Sequence, residues 1–241
     1  MNIDISIPRC WSELNQSQLR YLYNLLALGF SGDEIKTYCF FRWSGLEMVA
    51  KYGKDYLLKY DKKEFLASPL LIQSAVEVLC YVEGIPEAPV RLDRIAKCKG
   101  CDPRFHEVPF KRFIVCDNLY QGYLITKRED LLDQMAENLY SRPGIVTSKG
   151  ERLSVFYWWA SLKQYLASEF SDFFASAPSS ATTSNAGKAV KRAMNAQIRA
   201  LTKGDITKER EVLEMDTWRA LTELDALARE YSELEKKYPK K

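Results

Sequence analysis

The side chains best suited to bind a metal ion lie between positions 98 and 116. Cys98 and Cys101 form a Cys-x2-Cys pair, and His106 and Cys116 follow it. Zinc takes four ligands in a tetrahedron, and a Cys-x2-Cys pair is the usual first half of such a site. The second half is irregular, because nine residues separate His106 from Cys116 and Cys116 ends an apolar run. The sequence therefore favours a protein without a metal, with zinc at these four residues as the alternative.

The sequence offers few residues for acid–base or nucleophilic catalysis. His106 is the single histidine, which excludes most Ser/His and Cys/His nucleophile arrangements. No glycine-rich loop has the spacing of a phosphate site, since Gly187-Lys188 lacks the upstream glycine and the Ser or Thr that should follow. Two carboxylate pairs fall on helix faces that the pattern predicts to be solvated: Glu129 with Asp130, and Asp216 with Glu223. These patterns predict a protein that is not an enzyme and has no cofactor.

The charge of the chain argues against nucleic acid as the main partner. The net charge is +3 over 241 residues, which is weak for a nucleic-acid-binding domain. Residues 188–241 carry 13 basic and 10 acidic side chains, so the whole excess lies there, interleaved with acids. Further basic side chains fall in one loop: Arg91, Arg94, Lys97, Lys99 and Arg104. The simpler interpretation is a solvated loop, with a nucleic-acid contact as the alternative.

No segment of the sequence is suited to cross a membrane or to direct export. No apolar run approaches the ~18 residues that a membrane span needs, and the N-terminus MNIDISIPRC lacks the features of a signal peptide. The sequence therefore predicts a cytoplasmic protein. Its six cysteines are then expected to be reduced, most of them acting as small buried apolar side chains.

The element around which the core should form is a helix over residues 151–174. At about 100° per residue its bulky apolar side chains, such as Trp159, fall on one broad side, whereas Ser154 and Ser161 fall on the other. An apolar side of that width can be packed from two directions. Lys163 interrupts it, and either extends its amine to the helix edge or pairs with a carboxylate inside the core.

Capping and breaking signals divide the rest of the first 174 residues into short elements. Asn15 with Gln18, and Ser31 with Glu34, have the spacing of capping boxes that begin helices. The other predicted elements are a helix that starts at Ser68-Pro69, helices over 110–125 and 127–140, a hairpin over 56–67 and an edge strand at Ile3, Ile5 and Ile7. The predicted fold class is mainly α, with a small β-hairpin and edge-strand element.

The strongest boundary signal is the segment ASAPSSATTSNAG at residues 175–187. It is built from small residues with one asparagine and one proline, which bury too little surface to offset the entropy of ordering, so a flexible linker is expected. The sequence thus predicts a helical core domain over 1–174 and a C-terminal helical arm over 188–241. The arm should hold a short helix over 188–201 and a long one over 207–238.

The long helix of the arm carries an apolar stripe with helical spacing. An amphipathic helix behind a flexible tether needs a surface to cover its apolar side. That surface belongs to its own core domain, to a second copy of the chain or to another protein's helix, and spacing does not choose among them. The predicted partner-binding residues are Trp218, Leu221, Leu224, Ala228, Tyr231, Leu234 and Tyr238.

Four stretches resemble, in the same order, a family of tailed-phage and prophage proteins found beside tail genes. The first is IPRCWSELNQSQLRYLYNLL at residues 7–26, with its proline, tryptophan and W-x-E-L start, and the others lie at 117–140, 154–174 and 195–231. Such proteins resemble tail assembly chaperones. The resemblance implies an assembly helper in the host cytoplasm that holds the long helical tape-measure protein while the tail tube grows.

These observations together predict a non-enzymatic tail assembly factor that binds a helical protein partner. A tethered helix suits that role, because a tether raises the effective concentration of a second contact. Two alternatives stay open: a structural component of the virion, in its tail or connector, and a zinc-containing nucleic-acid-binding module.

Overall fold

The computed structural model describes residues 5–176 and 186–238, and helices dominate both stretches. The helices are α1 (Gln16–Leu28), α2 (Gly32–Ser44), α3 (Pro69–Val76), α4 (Phe110–Thr126), α5 (Asp130–Leu139), α6 (Lys149–Glu169), α7 (Ser171–Ser176), α8 (Ala186–Thr202), α9 (Glu209–Glu214) and α10 (Thr217–Lys237). Short 3-10 turns occupy Trp11–Glu13, Glu77–Glu83 and Ile206–Lys208. The predicted mainly α fold is confirmed.

Local capping signals begin the first helices at the predicted residues. The Asn15 side chain accepts a hydrogen bond from the Gln18 backbone N–H, and the Gln18 side chain accepts one from the Asn15 N–H. Ser31 and Glu34 make the same exchange at the start of α2. These bonds satisfy N–H groups that have no partner within the helix. Gly29 then ends α1 in the left-handed conformation, with φ of 78°.

A three-stranded antiparallel sheet follows α2. Its strands are β1 (Glu47–Tyr52), β2 (Asp55–Tyr60) and β3 (Lys63–Ala67), with β2 in the centre. The pairing of β2 with β3 is the predicted hairpin, and it places Leu58 opposite Phe65. Leu58 is 2% exposed, so this face of the sheet packs on the core.

Two predictions about strands differ from the structure. β1 was not predicted, because all six of its residues are exposed and it lacks the alternation of buried and exposed positions that marks a strand. The predicted edge strand is wrong over residues 5–7, which form no strand, and residues 1–4 lie outside the described chain. Ile5 and Ile7 do pack against the core, so their apolar alternation reflects burial without strand pairing.

The central helix is α6, as predicted, with α1, α5 and α7 packed against it. Trp158 and Trp159 are both 0% exposed. Ser154 and Ser161 were predicted to face solvent, yet both are buried. Each hydroxyl donates to the backbone carbonyl three residues earlier in the helix, so neither serine needs water. The apolar surroundings of α6 therefore extend around more of the helix than its sequence pattern indicates.

The central helix is also shorter than the predicted range of 151–174. It ends at Glu169, and Phe170 breaks it with φ of −119° and ψ of 56° before α7 starts. Of the predicted linker over 175–187, residues 177–185 lie outside the described chain, while the flanking residues end α7 and begin α8. Within the described ranges, no helix is both long and apolar enough to span a membrane.

The prediction of one continuous helix over 207–238 is wrong. A 3-10 turn and α9 come first, the chain is extended at Met215 (φ −60°, ψ 148°), and α10 then begins at Thr217. Asp216 caps α10, because its carboxylate accepts the backbone N–H groups of Trp218 and Arg219. The backbone N–H of Phe110 donates to the Met215 carbonyl at 2.8 Å. The start of α4 therefore donates to a carbonyl that, in a continuous helix, would accept a hydrogen bond from within that helix.

Candidate partner-binding surface

Helix α10 is anchored to the rest of the protein along its first half. Ala220, Leu221 and Leu224 are 0%, 0% and 5% exposed and belong to the same core as α4 and α6. From Arg229 to Tyr238 every residue is exposed. The helix therefore leaves the core after about three turns and continues into solvent.

The loop before α4 clamps the start of α10. The Thr217 backbone N–H and hydroxyl both donate to the Val108 carbonyl, at 2.9 and 2.6 Å. The Trp218 indole N–H donates to the Arg104 carbonyl at 2.8 Å, and the indole stacks on the His106 ring with centroids 4.4 Å apart. Hydrogen bonds of this kind each stabilise a fold by about 0.5–1.5 kcal/mol. The inner half of α10 is thus a fixed part of the protein.

Charged side chains make the last contacts before α10 enters solvent. Asp225 is 7% exposed and accepts the backbone N–H of Phe173 at 2.9 Å and a guanidinium N–H of Arg229 at 3.0 Å. Arg229 also pairs with Asp172 at 2.8 Å. Because Asp172 and Phe173 belong to α7, these bonds tie α7 to the middle of α10.

From these contacts to its end α10 presents an apolar stripe, formed by the half-buried Leu227 and by Tyr231, Leu234 and Tyr238. The exposed fractions of Tyr231, Leu234 and Tyr238 are 71%, 54% and 77%. Their alternating spacing of four and three is the repeat of helices that pack along another helix. The α10 stripe is therefore suited to a second helix.

The structure divides the predicted partner-binding residues between core and surface. Three of them pack in or against the core of the chain itself: Trp218, Leu221 and Leu224. Ala228 is half-buried, and three more are exposed: Tyr231, Leu234 and Tyr238. Sequence spacing could not separate the groups, because the same periodicity runs through both halves of α10.

A second apolar surface, which sequence reasoning missed, lies on the sheet and α3. Its exposed side chains are Met48, Val49, Tyr52, Leu66, Leu70 and Leu71. A groove of about 360 Å³ opens between α2, the sheet and α3, with Phe41, Tyr56 and Ile72 in its walls. The available signal was the pair of adjacent apolar residues at 48–49, since neighbouring side chains of a strand point to opposite faces and one of the two must leave the core.

The four candidate zinc ligands are not arranged as a metal site. The Cys98 sulfur accepts a hydrogen bond from Arg142 at 3.7 Å, and His106 is exposed and stacked on an aromatic ring of α10. Burial raises the pKa of Cys101 to about 11 and raises that of Cys116 well above its ordinary value. In the described part of the chain, no group of three or more His, Cys, Asp or Glu side chains could hold a metal ion.

Several basic side chains of the loop over 91–104 make contacts within the protein. Arg91 lies over the Trp158 ring, 5.8 Å from its centroid, and Arg104 lies over the Tyr165 ring at 5.3 Å. Arg94 starts a two-residue strand, Arg94–Ile95, that pairs antiparallel with Cys98–Lys99, and its guanidinium donates to the Lys97 carbonyl at 3.1 Å. These contacts favour the interpretation of the loop as part of the fold over that of a nucleic-acid contact.

The structure gives Lys163 both features that the sequence left open, a position at the edge of the core and a carboxylate partner. Its ammonium group pairs with the Asp117 carboxylate at 2.6 Å. The two side chains are 24% and 27% exposed, so the pair sits at the edge of the core. The lysine therefore both reaches toward solvent and finds a carboxylate on the neighbouring helix α4.

A more deeply buried lysine, Lys36 on α2, was not singled out from the sequence. It is 4% exposed, and three carboxylates surround its ammonium: Asp33 at 3.0 Å, Glu83 at 3.1 Å and Glu77 at 3.4 Å. These hydrogen bonds, that of Asp33 foremost, raise the pKa of Lys36. Because Lys36 pairs with all three carboxylates, the cluster links α2 to the turn at 77–83.

Comparisons with protein-family models, with curated proteins and with solved structures find no match to this chain. The resemblance to tail assembly proteins therefore stays a prediction. Function has to be inferred from the geometry of the exposed surfaces, and the α10 stripe is the most regular of them.

Proposed function

We propose that the protein is a non-enzymatic factor that holds a helical partner protein along the α10 stripe. The observation that carries this proposal is the exposure of Tyr231, Leu234 and Tyr238 on a helix whose inner half is buried in the core. Amphipathic helices are recognised through apolar anchors at spacings of three, four and seven residues. A helix held firmly at one end and apolar at the other presents such anchors in a fixed direction.

The class of partner follows from the sequence resemblance. A tail assembly factor holds the long helical tape-measure protein, so the proposed partner of the stripe is a long helix. Charged side chains border the α10 stripe: Glu230, Glu233, Glu235, Lys236 and Lys237. They keep the free stripe soluble and can pair with charges beside the apolar face of the partner. The protein would then act in the cytoplasm of the host cell, before the tail is complete.

Co-expression with the tape-measure protein, followed by pull-down, tests the proposal. Leu234→Glu should reduce capture more than tenfold, because it places an unpaired charge in the middle of the contact. Leu28→Glu is the matched control, since Leu28 is 72% exposed on α1 and lies outside the stripe. If both variants capture the tape-measure protein equally well, the α10 stripe is not the binding site.

A structural role in the virion makes a different prediction. A component of the tail or connector stays in purified particles, whereas an assembly factor leaves before the particle is complete. Immunodetection of the protein in purified particles therefore separates the two roles. The zinc-containing nucleic-acid-binding alternative finds no support in the arrangement of its candidate ligands in the described chain.

A further inference from the structure

We infer that, when no partner helix is bound, the α10 stripes of two copies of this protein pair antiparallel and cover each other. The inference rests on the proposed function in one respect, because it describes how the same binding surface is protected before a partner arrives. The occupant of the stripe is then a second copy of this chain.

The spacing of the stripe allows this pairing. Leu227, Tyr231, Leu234 and Tyr238 alternate at intervals of four and three residues, so they form a straight seam along a paired helix. In an antiparallel pair, Tyr231 lies opposite Leu234 of the second copy and Leu227 lies opposite its Tyr238. A two-fold axis repeats each contact, so one stripe supplies both halves of a closed dimer.

The charges beside the seam select the antiparallel direction. Glu230 and Lys237 each precede a tyrosine of the stripe, seven residues apart. In the antiparallel pair, Glu230 faces Lys237 of the second copy, and symmetry makes this attractive contact twice. In a parallel pair, Glu230 would instead face Glu235 of the second copy, which is repulsive and also occurs twice. The same residues therefore favour one arrangement and oppose the other.

The contact is small enough to be reversible. The twelve residues from 227 to 238 span about 18 Å of helix, and an interface of that length falls below the ~1,000 Å² expected of a stable complex. The pair should therefore form at high protein concentration and yield to a partner that offers a longer apolar face. Self-pairing and partner binding then compete for one surface.

Sedimentation velocity of the full chain over a series of protein concentrations tests the inference. The wild type should show a concentration-dependent equilibrium between monomer and dimer. Glu230→Lys and Lys237→Glu should each weaken the dimer about tenfold, because two attractive contacts become repulsive. The double variant, Glu230→Lys with Lys237→Glu, should recover the wild-type constant to within about twofold, since the pairs are attractive again. Lys236→Glu is the matched control and should change little, because Lys236 points away from the seam.

The possible results separate this inference from the proposed function. A monomer at every concentration, a double variant no better than the single ones, or a dimer strengthened by Glu235→Lys would overturn antiparallel self-pairing. None of these results bears on capture of the tape-measure protein, which is measured in a separate pull-down. A wild type that forms the expected dimer but captures no tape-measure protein would overturn the proposed function and leave the self-pairing intact.

Discussion

Cys39 shows how burial sets the chemistry of single side chains in this core. It is 0% exposed on α2, and burial raises the pKa of its thiol to about 12. All six cysteines are free, and only two of them, Cys39 and Cys116, are buried. The prediction that most of the cysteines are buried is therefore wrong. The buried thiols stay protonated near neutral pH, which makes them poor nucleophiles.

Raising the pH above 9 should destabilise the protein through Cys39. An unfolded thiol titrates at its ordinary pKa of 9.0, whereas folded Cys39 keeps its proton until about pH 12. Between these values the folded state binds more protons than the unfolded state, so the free energy of unfolding falls as pH rises. Cys39→Ala should make that fall shallower in urea unfolding between about pH 8 and pH 10.

A matched control separates this ionisation from loss of packing. Val82 is 1% exposed, and Val82→Ala opens a cavity without removing an ionisable group. This variant should be less stable than the wild type but should keep the wild-type dependence on pH. The explanation fails if Cys39→Ala also keeps that dependence.

At the scale of elements, two helices approach closely where α1 meets the first turn of α6. Gly150 is buried there, and a Cβ atom at this position would lie 2.4 Å from the Asn24 side-chain oxygen. Backbone atoms of Asn24 and Tyr23 would lie 3.3 Å away. The absent side chain therefore lets the backbones of α1 and α6 approach, which places Tyr23 in the core.

Overpacking by the added methyl group costs about 1–3 kcal/mol, and the gain in helix propensity of about 1 kcal/mol that alanine brings offsets part of this cost. Gly150→Ala should therefore lower the free energy of unfolding by up to about 2 kcal/mol. Urea unfolding measures the difference. Lys149→Ala, at the exposed neighbouring position, should leave stability within about 0.5 kcal/mol of the wild type. Equal stabilities of all three proteins would show that α1 and α6 do not need the close approach.

Elements with local signals were predictable, and elements that depend on distant residues were not. The capping boxes at Asn15 and Ser31 and the hairpin over 56–67 follow from neighbours within a few positions. The break at Met215 and Asp216 depends instead on the start of α4, about a hundred residues earlier, which takes the Met215 carbonyl. The seven-residue repeat of the α10 stripe was visible in the sequence, but its exposure was not.

On the scale of the whole molecule, the C-terminal helices complete the core. Ile198 of α8 is 8% exposed, and Leu221 and Leu224 of α10 are 0% and 5% exposed. Docking onto the chain itself, one of three occupants that the sequence left open, accounts for the inner half of α10. Removal of the whole segment 188–241 would therefore uncover the core, so it is a poor test of partner binding.

Two truncations should separate the halves of α10. A chain that ends after Arg229 loses residues 230–238, which are exposed, together with 239–241, and should keep the wild-type thermal unfolding midpoint within about 4 °C. A chain that ends after Met215 loses Leu221 and Leu224, each worth about 1.5–3 kcal/mol of burial, and the clamp at Thr217. Against a total stability of about 5–15 kcal/mol, it should unfold at a much lower temperature or fail to fold. Circular dichroism on heating measures both, and similar midpoints would contradict this division of α10.

The sequence by itself determined where most helices begin, that α6 is central, and that the last helix carries a continuous apolar stripe. These features depend on side-chain order and capping, which act over a few residues. The tertiary structure alone decided that the apolar side of α10 is buried as far as Leu224 and exposed beyond Arg229. The burial of a helix face depends on which distant segments pack against it, as Val108 does at Thr217 and Asp172 does at Arg229. The apolar face of a helix has the same periodicity in the sequence whether or not another segment packs on it.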